Sequence, residues 1–344
     1  MQSLGCESTN ECYSWKRIFA AFDTDHDGYI PTNELTRTVR SAAASFGLTS
    51  SEADALIRNI DANRDHLVDF PEFCTLMTRA KKLRMRHVLF RAAQMVVPKS
   101  GRAKAFSYLE QYTCMPPPLF MITISIMEVA VYIYYVLESH QGIQMNKPVP
   151  TQSPLIFNPH KKTEIWRYFT YMLIHVGIFH IIFNVMTQVM LGIPLELVHK
   201  AWRIMLVYLS GVLAGSLVVS IFDPNVYLAG ASGGVYALLA AHLAELIINW
   251  SEMEFAWVRA GVLTLLIGSD ASLAIYQRYY VREKDQVSYV SHLAGFIAGI
   301  LMGIIVLRNF SRKSWERFLW WISFAILIVL LCTAVVINIF PSII

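Results

Sequence analysis

From residue 119 onward the chain is a succession of apolar stretches: 119–137, 168–192, 202–222, 232–249, 255–276, 288–307 and 319–340. Each is close to the ~20 residues that a membrane-spanning helix requires. A bilayer core offers no water to backbone N–H and C=O groups, so stretches of this length can only be helices that satisfy those groups internally. The pattern predicts an all-α, polytopic helical membrane bundle over 118–344, with seven transmembrane helices. Pro116-Pro117-Pro118 marks its boundary, because three prolines end any helix. A composition of 55% hydrophobic and 16% charged residues excludes an ordinary soluble domain.

Ahead of the bundle, residues 1–78 read as a small helical module and 79–117 as a basic amphipathic connector. Nine Lys or Arg residues fall between positions 79 and 104, next to the first span, which is the signature of a lipid surface and not of nucleic acid. The remaining loops carry seven cations each on the two sides, so the Arg79–Lys104 cluster decides the orientation and predicts a cytosolic N-terminus. The first apolar stretch long enough to count begins after Pro118, so no signal peptide is expected in the residues before it. Five cysteines, Cys6, Cys12, Cys74, Cys114 and Cys332, show neither disulfide nor zinc-site spacing.

Threaded this way, spans 4 and 6 both run from the outer to the inner face. Ser232 opens the first of them and His292 the second, so both sit at a similar depth near the outside. A serine hydroxyl becomes a nucleophile when an adjacent base takes its proton, and a histidine is the usual base. For the two side chains to meet, the helices must pack closely. Gly295, Gly299 and Gly303 form the small-residue stripe that permits this, with Gly233 and Gly234 opposite. Gly230-x-Ser232-x-Gly234 also fits the nucleophile elbow of soluble hydrolases, but that motif requires a strand before the serine and an apolar span follows here. Developing oxyanions need hydrogen-bond donors, and His175-x4-His180-x3-Asn184 puts three polar side chains on the outward half of span 2.

Together Trp166-Arg167, His175-x4-His180-x3-Asn184, Gly230-Ala231-Ser232-Gly233 with Tyr236, and Ser291-His292-x2-Gly295-x3-Gly299 resemble the rhomboid family of intramembrane serine proteases, in order and in topology. Tyr112-Thr113-Cys114, the three prolines and Trp320-Trp321 in a seventh span narrow the likeness to the secretase-type members of animals, located in the plasma membrane or secretory pathway. The resemblance implies a six-span core plus a C-terminal seventh span. It implies Ser232 as nucleophile, His292 as general base and acid, Asn184, His180 and the Ser232 amide as oxyanion donors, and Tyr236 beneath His292. His175, Gly230 and Gly233 would support the site, and Trp166-Arg167 would belong to a structural outer loop. Such enzymes use a dyad without cofactor, so Asp223, Asp270 and Asp285 stay outside it. They cleave single-pass membrane proteins, growth-factor precursors among them, near the outer face.

Residues 23–34 have oxygen ligands at loop positions 1, 3, 5 and 12 (Asp23, Asp25, Asp27, Glu34), a glycine at the sharp turn of position 6 (Gly28), and Tyr29 offering its carbonyl. This is an EF-hand calcium loop. A second loop holds Asp61, Asn63, Asp65, Leu67 through its carbonyl, Asp69 and Glu72, but places His66 where the glycine belongs, a position that costs a side chain of order 1 kcal/mol. Calcium is the cofactor expected, regulatory and not catalytic, with a weaker second site. The expected partners are the bilayer and single-pass protein substrates. Two intramembrane acids, Glu128 and Asp270, are left over with a structural role favoured. Two rivals remain: an inactive rhomboid-like protein that only binds membrane proteins, and a calcium-gated channel or transporter.

Overall fold

The computed structural model describes residues 10–23, 25–42, 50–57, 60–61, 65–80, 119–140, 142–145, 150–250, 253, 255–276, 289–308 and 314–340. Most of the connector 79–117 and the ligand Asn63 therefore lie outside the described residues. The chain divides into two compact units, one within 1–91 and one within 92–344.

In the first unit, α1 (Asn10–Phe22) leads into strand β1 (Ile30–Pro31) and α2 (Thr32–Ala42). After α3 (Ser50–Ile57), strand β2 (Leu67–Val68) leads into α4 (70–80). The strands pair antiparallel, Ile30 opposite Val68 and Pro31 opposite Leu67, which joins the two acidic loops back to back. Phe19, Ile30, Leu35, Leu56, Ile60, Val68, Phe73 and Leu76 form the core beneath them. Phe19 meets Phe70 and Phe73 edge to face at 5.5 and 5.4 Å.

The second unit consists of α5 (Leu119–Glu138), α6 (Ile178–His199), α7 (Ala201–Phe222), α8 (Ser232–Asn249), α9 (Ala256–Tyr276), α10 (Tyr289–Val306) and α11 (Ser314–Ile339). Among the described residues, six of these are long and apolar enough to cross a membrane. In α9, which covers the expected fifth span, the apolar stretch runs over Ala256–Ser269. The centre of the bundle is α8, which is buried on nearly all sides and packs most extensively on α10 and α7. Its Ala237, Ala240, Ala241 and Ala244 are buried, and small side chains of this kind let neighbouring backbones approach. By contrast, α11 leaves almost its whole apolar surface facing outward.

The second span does not begin at 168. Residues Arg167–Thr170 and Tyr171–Leu173 form two short turns, Ile174 is extended, and the helix restarts only after Gly177, whose φ of +84° favours glycine. Hydropathy cannot register such a break because both sides of it are apolar. Further along, α6 widens into a π-turn over Gln188–Gly192 just before Pro194. Proline lacks an N–H and crowds the carbonyl four residues earlier, so a local change of winding there has an identifiable cause.

Buried acids are more numerous than the sequence reading supposed. Glu196 accepts the Phe120 and Met121 amides at 2.8 and 2.9 Å, satisfying two of the orphan N–H groups at the start of α5. Glu245 is buried in α8, and its neighbour His199 lies 3.4 Å away. Glu128 is fully enclosed, bonded to Gln188 and Tyr208. The side chain of Asp270 lies outside the described residues.

Candidate active site

The candidate site is assembled by close packing of α8 against α10. The Gly295 Cα faces Gly233 so closely that an added Cβ would overlap the Gly233 carbonyl oxygen; Gly299 meets the Ala237 backbone in the same way, and Gly303 meets Ala244 and Ala241. The glycine stripe thus seats on positions 233, 237 and 241 of α8, four residues apart on both helices. Ser232 immediately precedes Gly233 and His292 lies one turn before Gly295, so this register brings the two side chains to the same end of the helix pair.

Ser232 is the first residue of α8. Helix N-termini leave their first amides without intrahelical partners and carry a partial positive charge. The hydroxyl therefore sits beside backbone donors, including its own amide. His292 is buried, and its imidazole stacks on the Tyr236 ring at 4.4 Å and 12°, with Tyr289 edge-on at 5.9 Å. Tyr236 is one turn beyond Ser232 on α8, so the stack sets the imidazole's height. The role of Tyr289 was not read from the sequence, since a tyrosine three residues before a histidine has no distinguishing signal.

Across from the serine lies the start of α6. The His180 ring fills the space beside Gly230, where an added Cβ would meet its Cε1 and Nε2 at 2.6 and 2.7 Å. Gly230 also has φ +116°, so only glycine meets both demands of this position. His175 packs edge-on to His180 at 5.2 Å. Asn184 is buried and donates one Nδ2 hydrogen to the His180 carbonyl at 3.0 Å. The residues singled out in spans 2, 4 and 6 are thus gathered at one end of the bundle.

The segment before Ser232 is pinned by backbone bonds to Phe157 and Tyr171. Phe157 and Leu228 exchange backbone hydrogen bonds at 3.1 and 3.2 Å, and the Gly230 amide donates to the Tyr171 carbonyl at 3.1 Å. The loop supplying Phe157 is in turn organised by Arg167. That side chain is buried, donates to the Ser153 and Ile156 carbonyls at 2.8 and 2.7 Å, and pairs with Glu164. Trp166 bonds the Pro154 carbonyl at 3.1 Å. A second polar group, His199 with His242 and Glu245 of α8, lies toward the opposite end of that helix, where Glu245 is about 20 Å along the axis from Ser232.

In the first unit, Asp23, Asp25 and Asp27 hold carboxylate oxygens within 4.8 Å of one another. Asp23 accepts the Asp27 and Gly28 amides at 3.1 and 3.0 Å, and Asp27 accepts the Tyr29 amide at 2.8 Å. These bonds hold the Asp23 and Asp27 carboxylates in place, and the all-oxygen donor set suits a hard cation. The second loop repeats the arrangement with Asp61 and Asp65. His66 adopts the glycine conformation, φ +65°. Glu72 and Asp69 bond each other's amides at the start of α4, a capping box that engages one oxygen of the position-12 carboxylate. Among the described residues, only the first loop brings three acids together.

Two domain families match this chain: the rhomboid domain over residues 162–309 and the EF-hand domain pair over residues 13–78. Similar proteins include the "Inactive rhomboid-related protein 2" of Caenorhabditis elegans, 44% identical over 91% of this chain and 90% of its own length. "Rhomboid-related protein 3" of Homo sapiens is 33% identical over 95% of this chain and 87% of its own. "Rhomboid-related protein 2" of Mus musculus is 45% identical over 69% and 80%.

Proposed function

The chain belongs to the rhomboid family, and on that basis we propose that it is an intramembrane serine endopeptidase with a calcium-responsive EF-hand pair. The observation that carries the reading is the His292 imidazole stacked on Tyr236, one turn from a serine at an open helix N-terminus. The Ser232 Oγ attacks the scissile carbonyl while His292 takes its proton. The developing oxyanion is met by the Ser232 amide, His180 and the second N–H of Asn184. His292 then returns the proton to the leaving amine, and a water hydrolyses the acyl-serine by the same route in reverse. The substrates are single-pass membrane proteins, whose spanning segments can reach a site at this end of the bundle. The test is co-expression with tagged single-pass proteins in cultured cells: a shorter fragment with the native chain and none with Ser232→Ala supports the proposal.

A second reading is an inactive rhomboid that binds such proteins without cutting them. It is favoured by the name of the relative that is 44% identical. Against it stands the presence here of Ser232, His292 and the donors around them.

We place the N-terminus in the cytosol, which sets Ser232 near the outer face. Asn309-Phe310-Ser311 is an N-glycosylation sequon that then faces the cytosol and carries no glycan. A glycosidase-sensitive mass shift lost in Asn309→Gln would invert this topology. The sequon at Asn249 cannot serve the same purpose, because that side chain is buried and bonds the Glu245 carbonyl.

Calcium is held by Asp23, Asp25, Asp27, the Tyr29 carbonyl and Glu34, and more weakly by Asp61, Asn63, Asp65, the Leu67 carbonyl, Asp69 and Glu72. Binding of the ion modulates cleavage. Glu34→Gln is expected to weaken calcium binding at least about tenfold and to remove most of the calcium dependence of cleavage, with a smaller effect from Glu72→Gln. Calorimetry and fragment yields on the full-length protein check this. An unchanged calcium response in the double variant would refute the coupling.

A further inference from the structure

Fully enclosed between α5, α6 and α7 is a closed ring of three hydrogen-bond contacts. The Tyr208 hydroxyl lies 2.8 Å from Gln188 Oε1 and 3.0 Å from Glu128 Oε1, and Gln188 Nε2 lies 2.9 Å from Glu128 Oε2. The second N–H of the amide goes to Ser125 Oγ at 3.1 Å. Glu128, Gln188 and Tyr208 are all inaccessible to solvent.

Each contact in the ring needs one hydrogen. Tyr208 brings one, and Gln188 can place one on the ring whichever way its amide is turned, because its oxygen donates nothing. If Glu128 were ionised, two hydrogens would serve three contacts, and one pair of acceptors would face each other in an interior where such a mismatch costs about 1–3 kcal/mol. A proton on Glu128 closes the ring in either amide orientation. Among the described residues no cation pairs with this carboxylate, so nothing offsets the desolvation of an ionised form.

The ring reaches the site through Tyr208. Gly234, two residues after Ser232, packs against that aromatic face so closely that a Cβ there would meet Cε2 and Cζ at 2.5 and 2.7 Å. Fixing the Tyr208 hydroxyl between Gln188 and Glu128 fixes the ring plane against which the first turn of α8 rests. Phe120 also packs on the Tyr208 ring, edge to face at 5.7 Å. We propose that Glu128 is kept as an un-ionised carboxylic acid and acts as a positioning residue, setting the start of the catalytic helix through Gln188 and Tyr208. The positioning part rests on the protease reading, whereas the protonation part does not.

The experiment compares full-length native protein in lipid nanodiscs with Glu128→Gln, Glu128→Ala and Tyr208→Phe. A glutamine reproduces the acid's donor and acceptor, so Glu128→Gln should stay within about threefold of native cleavage. Glu128→Ala should lower kcat on the order of 10- to 100-fold with KM little changed, as misplacement of reacting groups does. Tyr208→Phe keeps the ring on Gly234 but opens the hydrogen-bond circuit, and should fall between them. The native-minus-Glu128→Gln infrared difference spectrum at neutral pH should show the carbonyl stretch of a protonated carboxylic acid. Absence of that band overturns the proposal even if the protein cleaves nothing, and so does a melting temperature of Glu128→Ala equal to the native one. In an active protein, Glu128→Gln as damaging as Glu128→Ala, or Tyr208→Phe at native kcat, also overturns it.

Discussion

Ser232→Ala and His292→Ala are each expected to abolish cleavage, by a factor on the order of 10⁴ or more, while leaving the melting temperature of the protein in detergent within a few degrees of native. Nucleophile and base act as one unit, so combining the two substitutions should cost little beyond either alone. The fold should tolerate both changes for reasons visible in the packing. Ser232 is half-buried at a helix end, and α8 and α10 are held by the Gly233–Gly295 and Ala237–Gly299 contacts, which neither substitution touches. Loss of the stack on Tyr236 should make His292→Ala the less stable of the two. Asn184→Ala is a graded contrast: one oxyanion donor is typically worth about 10²- to 10³-fold, and its other hydrogen bond is internal to α6. Fragment yields from a co-expressed substrate, measured against chain abundance, separate these outcomes. Appreciable proteolysis in either dyad variant would remove Ser232 and His292 from the roles given them.

Much of this arrangement was legible in the sequence because its signals are local or periodic. The apolar stretches announce the spans, the four-residue spacing of Gly295, Gly299 and Gly303 announces a helix face, and the acidic loop 23–34 carries its ligand pattern within twelve consecutive residues. What escaped is long-range or conformational. The break at Ile174–Gly177 sits inside an apolar run, so only a positive φ at Gly177 betrays it. The tie between Phe157 and Leu228 joins residues seventy-one positions apart that share no motif. The clamp of Arg167 on the Ser153 and Ile156 carbonyls uses backbone acceptors, which every residue has and no sequence displays. Glu128 was visible as an unexplained acid in a span, but its partners Gln188 and Tyr208 come from two other helices, and no single-helix pattern could pair them.

The closeness of α8 and α10 yields the other large expected effect, and it separates two substitutions that are chemically identical. Gly295→Ala adds a methyl group where the Gly233 carbonyl already stands, with the carbonyl carbon only 2.9 Å from the new Cβ. The obstacle is backbone on the facing helix, so no rotamer change relieves it. The helices must separate, at a cost of about 1–3 kcal/mol for overpacking of this kind. That movement also carries His292 away from Ser232, because both lie within one turn of the contact. A misplacement on the order of 1 Å is enough to lower a rate about 10²-fold, so cleavage should fall further than stability does. Gly261→Ala makes the same change in α9, where nothing stands within 4 Å of the added Cβ. Alanine exceeds glycine in helix propensity by about 1 kcal/mol, so this variant should melt at or slightly above the native temperature and cleave normally. Thermal unfolding in detergent, run beside the cleavage assay on both variants, measures the contrast. If Gly295→Ala matched Gly261→Ala in both measurements, the backbone contact between α8 and α10 could not be what aligns the dyad.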